Sequence, residues 1–315
     1  MPKVSIVIPV YGVEEYIDKC LKSLVNQTLQ DIEIIVVNDG SKDNSQDIID
    51  EYVKRDKRIK SIIKENGGQA SARNMGIKLA TGDYLGFVDS DDWIESNMYE
   101  LLYNEAVSND YDVVFCNYHI ETNGIREEAD TIVFNPEKAV ESYIFSQPAP
   151  WNKIFKRHLW VNNKLKFAEG MIYEDYAIIP VFPLYANKFS YVDKCLYNYL
   201  VRDGSTMNQA KFNPKFKDIV RASKVLFENL SKVENPYWGE YEYIIFANTI
   251  RDNYFKLRIF PEAMPVLVEM IDWFRRNFPN WKKNKYIKKN GWKYMLYSRL
   301  IIKKRFKLLN MLKKR

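Results

Sequence analysis

The chain has little with which to build a covalent scaffold or a soft-metal centre. Its 315 residues include three cysteines and two histidines. Cys20, Cys116 and Cys195 are widely spaced, odd in number and form no Cys-x-x-Cys pair. That argues against a disulfide framework and suits a reducing cytosol. His119 and His158 lack metal-ligand spacing to cysteine or acidic neighbours, so both read as structural or surface groups. No uncharged apolar stretch approaches the ~20 residues that cross a bilayer. The chain enters an apolar run almost at once, so no signal peptide is expected. Internal repeats and low-complexity linkers are absent. No Gly-x-Gly-x-x-Gly follows the first apolar run, which disfavours a dinucleotide oxidoreductase. Val10-Tyr11-Gly12-Val13-Glu14-Glu15 stands where a sugar nucleotidyltransferase would carry a glycine-rich phosphate loop with a lysine.

Acid is missing from one region. From Trp273 to Arg315 there is no Asp or Glu, while 16 of the 47 Lys and Arg fall there. The rest of the chain holds 31 bases against 41 acids, so an acidic body (net −10) carries a basic tail. Trp281, Tyr286, Trp292, Tyr294, Leu296, Leu300, Phe306 and Leu308 interleave with the cations. This pattern suits an anionic membrane surface. A solvated helix packed on the body is the plainer alternative, and nucleic acid is disfavoured. A content of 46% hydrophobic residues is ample for one α/β domain and a smaller addition.

What is present begins with Val4-Ser5-Ile6-Val7-Ile8-Pro9-Val10-Tyr11, a β-branched run ending near a proline. It reads as a buried parallel strand. An amphipathic helix follows on Ile17, Leu21, Leu24 and Val25. A second strand, Ile32 to Val37, ends in Asn38-Asp39-Gly40-Ser41, before a helix carrying Ile48, Ile49, Tyr52 and Val53. A third, Ile59 to Ile63, ends at Glu65-Asn66-Gly67-Gly68. Ser71-Ala72-Arg73-Asn74 opens the next helix, and Tyr84 to Val88 forms a strand that delivers Asp89-Ser90-Asp91-Asp92. Such alternation predicts a mostly parallel sheet flanked by helices, with ligands bound beyond the carboxyl ends of the strands.

Two carboxylates one residue apart at a strand end can hold a hard divalent cation, Mn²⁺ or Mg²⁺, and leave positions open for a diphosphate. Alone, Asp-x-Asp is a common turn. Its companions on neighbouring strand ends give it chemistry. Tyr11 can stack on a base, Asp39 can accept from a base N–H, and Arg73 can pair with phosphate or steady Asp89. Individually these could be a core edge, a turn residue and a surface charge.

The stretches Val4 to Ser45 and Asn66 to Ile94 resemble the nucleotide-binding half of family 2 inverting glycosyltransferases of the GT-A fold. The likeness is dense over Val4–Ile94 and thinner beyond. It implies a GT-A-like α/β domain, placed over 1–212, and the helical period of Phe216, Ile219, Val220, Ser223, Leu226 and Phe227 marks a helical C-terminal region over 213–315. It also implies a donor site of Pro9, Val10, Tyr11, Asp39, Asn66, Gly67, Arg73, Asp89, Ser90 and Ser205. Asp91, with Asp89, would hold the metal. Trp151-Asn152-Lys153 and Glu174-Asp175 look like acceptor-side motifs, with Asp175 the catalytic base and Trp151, Lys153 and Glu174 binding the acceptor. Arg202-x-Gly204-Ser205 looks like a lip over the diphosphate.

The implied reaction is a single inverting displacement from a nucleotide-sugar, UDP-sugar favoured, onto a hydroxyl of a glycan acceptor. A lipid-linked acceptor in capsule, exopolysaccharide or O-antigen synthesis is expected, with the enzyme peripheral on the cytoplasmic face of the membrane. The alternatives are a catalytically dead, membrane-tethered scaffold and, more remotely, a sugar nucleotidyltransferase. The helical run from about Asn213 could shape the acceptor site, form a homodimer or present the tail.

Overall fold

The structure, a computed structural model, describes residues 1–129, 133–202 and 212–313. The chain divides into two compact units. One holds Met1–Gly170 and the described residues from Glu174 to Arg202; the other holds Met171–Tyr173 and the described residues from Phe212 onward.

The first unit is built on a mixed nine-stranded sheet. Strands β1 (Val4–Val10), β2 (Ile32–Asn38), β3 (Ile59–Ile63) and β4 (Tyr84–Phe87) lie in the order β3-β2-β1-β4, all parallel. Every residue of β1, β2 and β4 is buried, as a strand covered on both faces requires. Helix α1 (Ile17–Val25) buries Ile17, Cys20, Leu21 and Leu24, one stripe at helical spacing. Helices α2 (Ser45–Arg55) and α3 (Gln69–Leu79) complete the two further crossovers. Helix α3 lies very close to the sheet, because a Cβ on Gly76 would stand 2.3 Å from Val7 Cγ1. Only glycine fits there. The pairings Val10 with Asn38 and Asn38 with Ile63 bring three carboxyl ends to one edge, and β4 ends beside them.

Beyond β4 the sheet changes character. The strands β5 (Trp93–Ile94), β6 (Val113–Thr122), β7 (Ile125–Glu128), β8 (Lys153–Lys156) and β9 (Phe189–Val201) continue the order as β4-β8-β6-β9-β5, with β7 paired to β6. Strand β8 is antiparallel to both β4 and β6, whereas β6 and β9 run parallel. Helices α4 (Met98–Ser108), α5 (Ala139–Phe145) and α6 (Arg157–Asn162) accompany this half. An aromatic cluster of Phe87, Phe155, Trp160, Phe167 and Phe182 forms its floor, with ring centroids 4.5 to 6.5 Å apart.

A carboxylate is built into the sheet away from this edge. Glu33 accepts from Ser5 Oγ at 2.5 Å, Thr81 N at 2.6 Å and Lys60 Nζ at 2.6 Å. Burial alone would push its carboxyl up. The hydrogen bonds from Lys60, Ser5 and Thr81 outweigh that and hold it at about 2.

The second unit is helical: α7 (Asp218–Leu230), α8 (Trp238–Ile244), a π-helical stretch (Ile245–Asp252), α9 (Asn253–Leu257), α10 (Met264–Asn277), α11 (Lys285–Lys289), α12 (Gly291–Ile302) and α13 (Phe306–Lys313). Phe246 stacks on Trp281 at 5.6 Å, and Tyr254 on Phe306 at 5.2 Å, so the basic tail contributes to this core near both of its ends. Among the described residues no helix is long and apolar enough to cross a membrane.

Candidate active site

The acidic turn after β4 is clamped by β9. The hydroxyl of Tyr197 accepts from the Asp89 amide at 3.1 Å and donates to Asp92 Oδ2 at 2.5 Å. The Leu200 amide donates to Asp92 Oδ1 at 2.8 Å. Asp92 is buried, and desolvation together with Asp91 and Asp89 pushes its carboxyl well up. It anchors the turn, while Asp89 and Asp91 stay partly exposed. The Asp91 side chain keeps 25% of its surface exposed and accepts from Arg202 Nε at 2.8 Å. Burial and Asp89 push the Asp91 carboxyl up, while Arg202 pulls the other way.

Arg73 joins this turn to the Glu174-Asp175 pair. Its Nη2 donates to Asp89 Oδ1 at 2.6 Å and its Nη1 to Glu174 Oε1 at 2.7 Å. The guanidinium is buried and lies over the Phe167 ring at 5.2 Å. Gln69 Nε2 adds a bond to Asp89 Oδ1 at 3.0 Å. Asn74, one residue beyond Arg73, donates to Phe167 O and Glu169 Oε1 and accepts from the Phe167 amide. One face of α3 therefore fixes the acidic turn, Glu174 and the chain leading toward it. Asp175 is partly exposed, and its Oδ1 accepts from the Tyr176 amide at 2.7 Å. Burial and the neighbouring Glu174 carboxylate push its carboxyl up to about 7, against the pull of Arg73.

At the other end of the strand edge, Tyr11 is 55% exposed. Pro9 and Val10 are buried strand residues beneath it. Asp39 is buried and accepts from Lys64 Nζ at 2.6 Å, the Gly67 amide at 3.0 Å and the Gly68 amide at 2.7 Å. It pins the exposed Asn66-Gly67 loop onto the end of β2. Gly40, at φ +77°, gives the turn that lets Asp39 point there. Gly12 N to Ser41 Oγ and Glu14 N to Asp43 Oδ2 then join the loops after β1 and β2.

Two expected acceptor residues lie elsewhere. Trp151 is buried and stacks on Tyr197 at 4.3 Å. Lys153 opens the central strand β8 and is fully buried, donating to Gln147 O, Ala149 O and Asn152 Oδ1. Burial lowers its pKa to about 7. Lys153, with three internal acceptors and no exposure, lies in the sheet interior, and Trp151 backs the acidic turn through Tyr197. Glu174 is committed to Arg73. Ser90 is buried, and Ser205 lies outside the described residues. Lys64, Gln69 and Tyr197 belong to the network although no local motif marks them, and Asp92, the last acid of the cluster, is its buried anchor and not a ligand-facing group.

The expectation for His119 also changes. Ligand atoms of His119, Glu128 and Cys195 lie within 4.8 Å of one another, a set that could hold a metal ion. His119 pairs across strands with Glu128, and an irregularity between β6 and β9 sets Cys195 opposite Asn117, two residues from His119. Arg126 Nη2 stands 2.8 Å from His119 Nδ1, so a fixed cation already sits at this cluster.

The sequence profile described as "Glycosyl transferase family 2" matches residues 5–171, more than half of the chain. The chain belongs to glycosyltransferase family 2. As a family 2 glycosyltransferase it is 40% identical over 181 residues to glycosyltransferase EpsJ of Bacillus subtilis, covering 54% of this chain and 53% of that one. The match thus spans about half the length of that relative. It is 32% identical over 295 residues to glycosyltransferase GlyG of Streptococcus pneumoniae, covering 82% of this chain and 96% of GlyG. The solved structure of S. aureus TarS 1–349 in complex with UDP-GlcNAc superposes with a TM-score of 0.71 at 25% identity, covering 86% of this chain and 80% of that one. The GT-A-like architecture of this glycosyltransferase agrees with the one expected from its first ninety residues.

Proposed function

We propose that this glycosyltransferase moves a sugar, with inversion, from a UDP-sugar to a hydroxyl of a lipid-linked glycan in surface-polysaccharide synthesis, working at the cytoplasmic face of the membrane. One observation carries the reading. Arg73 bridges Asp89 to Glu174, and so sets Asp175, with its raised pKa, beside the acidic turn. The UDP-GlcNAc held by TarS supports uracil over other bases.

In this reading Tyr11 stacks on the base, on the platform of Pro9, Val10, Asn66 and Gly67, while Asp39, buried and bonded by Lys64 and the Gly67 and Gly68 amides, holds that platform and meets a base N–H at the position Lys64 now fills. Ser90 supports the acidic turn, and Ser205 closes over the donor. Asp91 and Asp89 suit Mn²⁺ or Mg²⁺. Their donors are hard oxygens, the Asp91 carboxylate reaches solvent, and Asp89 lies near enough to push the Asp91 carboxyl up, a repulsion that a bound cation would relieve. A cation bound there neutralises charge growing on the leaving nucleoside diphosphate.

Asp175 takes the proton of the acceptor hydroxyl as that oxygen bonds to the anomeric carbon. The bond from that carbon to the diphosphate breaks, and its electron pair leaves with the diphosphate. A single displacement turns an α-linked donor into a β-glycoside, by the geometry that governs inverting hydrolysis. Glu174 and Arg73 position Asp175 without touching substrate. Asp175→Asn should abolish transfer while UDP binding, measured by calorimetry, is retained. Near-normal turnover in that variant would remove Asp175 from the role of base.

A further inference from the structure

We propose that the outer face of α12 and α13 is a docking surface for an anionic lipid bilayer, with Trp292, Leu296, Leu308, Met311 and Leu312 entering the interface. This deepens the membrane partner of the reading above and rests on it only for the choice of a lipid surface among polyanions.

Both helices have already satisfied their inner faces. Helix α12 buries Ser298, Leu300, Ile301 and Ile302, and α13 is held by Leu309 and by Phe306 on Tyr254. The large apolar side chains on the outside are additional to that core. Trp292 is 71% exposed and Met311 68%, with Leu296, Leu308 and Leu312 also exposed. Trp292, Leu296 and Arg299 follow i, i+4, i+7, one row on α12; Leu308, Met311 and Leu312 follow i, i+3, i+4 on α13.

Charge decides the partner. No acid occurs from Trp273 to the end of the chain. Lys285 pairs with Glu240, and Lys304 with Asp272. Lys288, Lys289, Lys293, Arg299, Lys303 and Lys307 are exposed and make no ion pair among the described residues. Cations flanking exposed Trp, Leu and Met suit a surface that is negative outside and apolar just beneath, where long basic side chains reach headgroups while the apolar groups leave water. A second copy of the same face would oppose like charges. RNA would neutralise the cations but leave Leu308, Met311 and Leu312 in water.

The test is co-sedimentation of the full chain with vesicles of mixed phosphatidylglycerol and phosphatidylcholine, beside vesicles of phosphatidylcholine alone. Binding to the anionic vesicles, weakened by salt, is expected. The double variant Trp292→Ser/Leu296→Ser should weaken it by at least tenfold, the scale of losing even one apolar side chain from the interface. Lys289→Gln/Lys293→Gln/Arg299→Gln should weaken it by tenfold to about a hundredfold, and most at low salt. All five positions are exposed, and an unchanged thermal midpoint would show that the fold is kept. Failure of wild type to bind, or undiminished binding by the Trp292/Leu296 variant, would overturn the proposal. So would self-association abolished by that variant, or RNA binding that competes vesicles away. Donor hydrolysis read on the same samples separates the two ideas: its loss counts against the transferase reading, and loss of vesicle binding counts against this face.

Discussion

Arg73 Nη1 donates to Glu174 Oε1 at 2.7 Å, tying the middle of α3 to an acid 101 positions further along the chain. The other arm of the same guanidinium holds Asp89. Neither end is dispensable, because removing the cation leaves two poorly solvated carboxylates facing each other. Arg73→Met should destabilise the fold by about 3–5 kcal/mol. Arg73→Lys should recover only part of this, since one ammonium lacks the planar fork that spans both acids. Urea unfolding at neutral pH measures both; a loss below ~1 kcal/mol for the methionine variant would mean that the bridge does not support the site.

Asp175 should impose a pH dependence on the reaction. A base titrating near 7 gives kcat/KM that rises with pH through about 7 and then levels. The sign for stability is opposite. A carboxyl raised in the folded state destabilises the fold increasingly as pH climbs from the ordinary carboxylate range to about 7. Asp175→Asn should therefore be the more stable protein at pH 8, by on the order of 1–2 kcal/mol, with the difference shrinking at acid pH. Thermal midpoints at the two pH values check this.

Glu33 should behave in the reverse sense. Its carboxyl is held at about 2, so its contribution is complete above the unfolded carboxylate range and is lost as pH falls toward 2. Glu33→Gln should cost roughly 2 kcal/mol at neutral pH and flatten the acid limb of the stability curve. An unchanged acid limb would show that Lys60, Ser5 and Thr81 do not hold the charged form.

Arg202 and a metal ion compete for Asp91 in the proposed site, because Arg202 Nε donates to Asp91 Oδ2 at 2.8 Å. Arg202→Gln should tighten Mn²⁺ binding severalfold in the absence of nucleotide, on the scale of one charge-assisted bond partly screened by solvent. Titration followed by the paramagnetic signal of free Mn²⁺ measures this directly. Equal affinity in the two proteins would mean that Arg202 does not stand in the way.

The parallel half of the fold was legible because β1, β2 and β4 are predominantly apolar, with Ser5, Glu33 and Asn38 the polar exceptions, and each is followed by turn-forming residues. The strand-end rule then placed Tyr11, Asp39 and the acidic turn on one edge, where the structure has them. Strand β8 was hidden. Lys153-Ile154-Phe155-Lys156 is four residues long with a lysine at each end, and burial of the first depends on carbonyls at Gln147 and Ala149 that fold back to meet it. Trp151 and Lys153 were expected on the acceptor side from the family resemblance alone, and with β8 unrecognised nothing local opposed it. The bridge from Arg73 to Glu174 and the meeting of His119, Glu128 and Cys195 depend on long-range pairing, and for Cys195 on a strand irregularity, neither of which leaves a trace in local spacing.

The most direct test of the central claim is donor hydrolysis across UDP-, GDP- and TDP-sugars with Mn²⁺ or Mg²⁺, comparing wild type with Asp91→Asn in the presence of a hydroxyl acceptor mixture. Wild type should cleave a UDP-sugar only when the metal is present, and Asp91→Asn should cleave none. Metal-independent cleavage, or equal cleavage by Asp91→Asn, would contradict it.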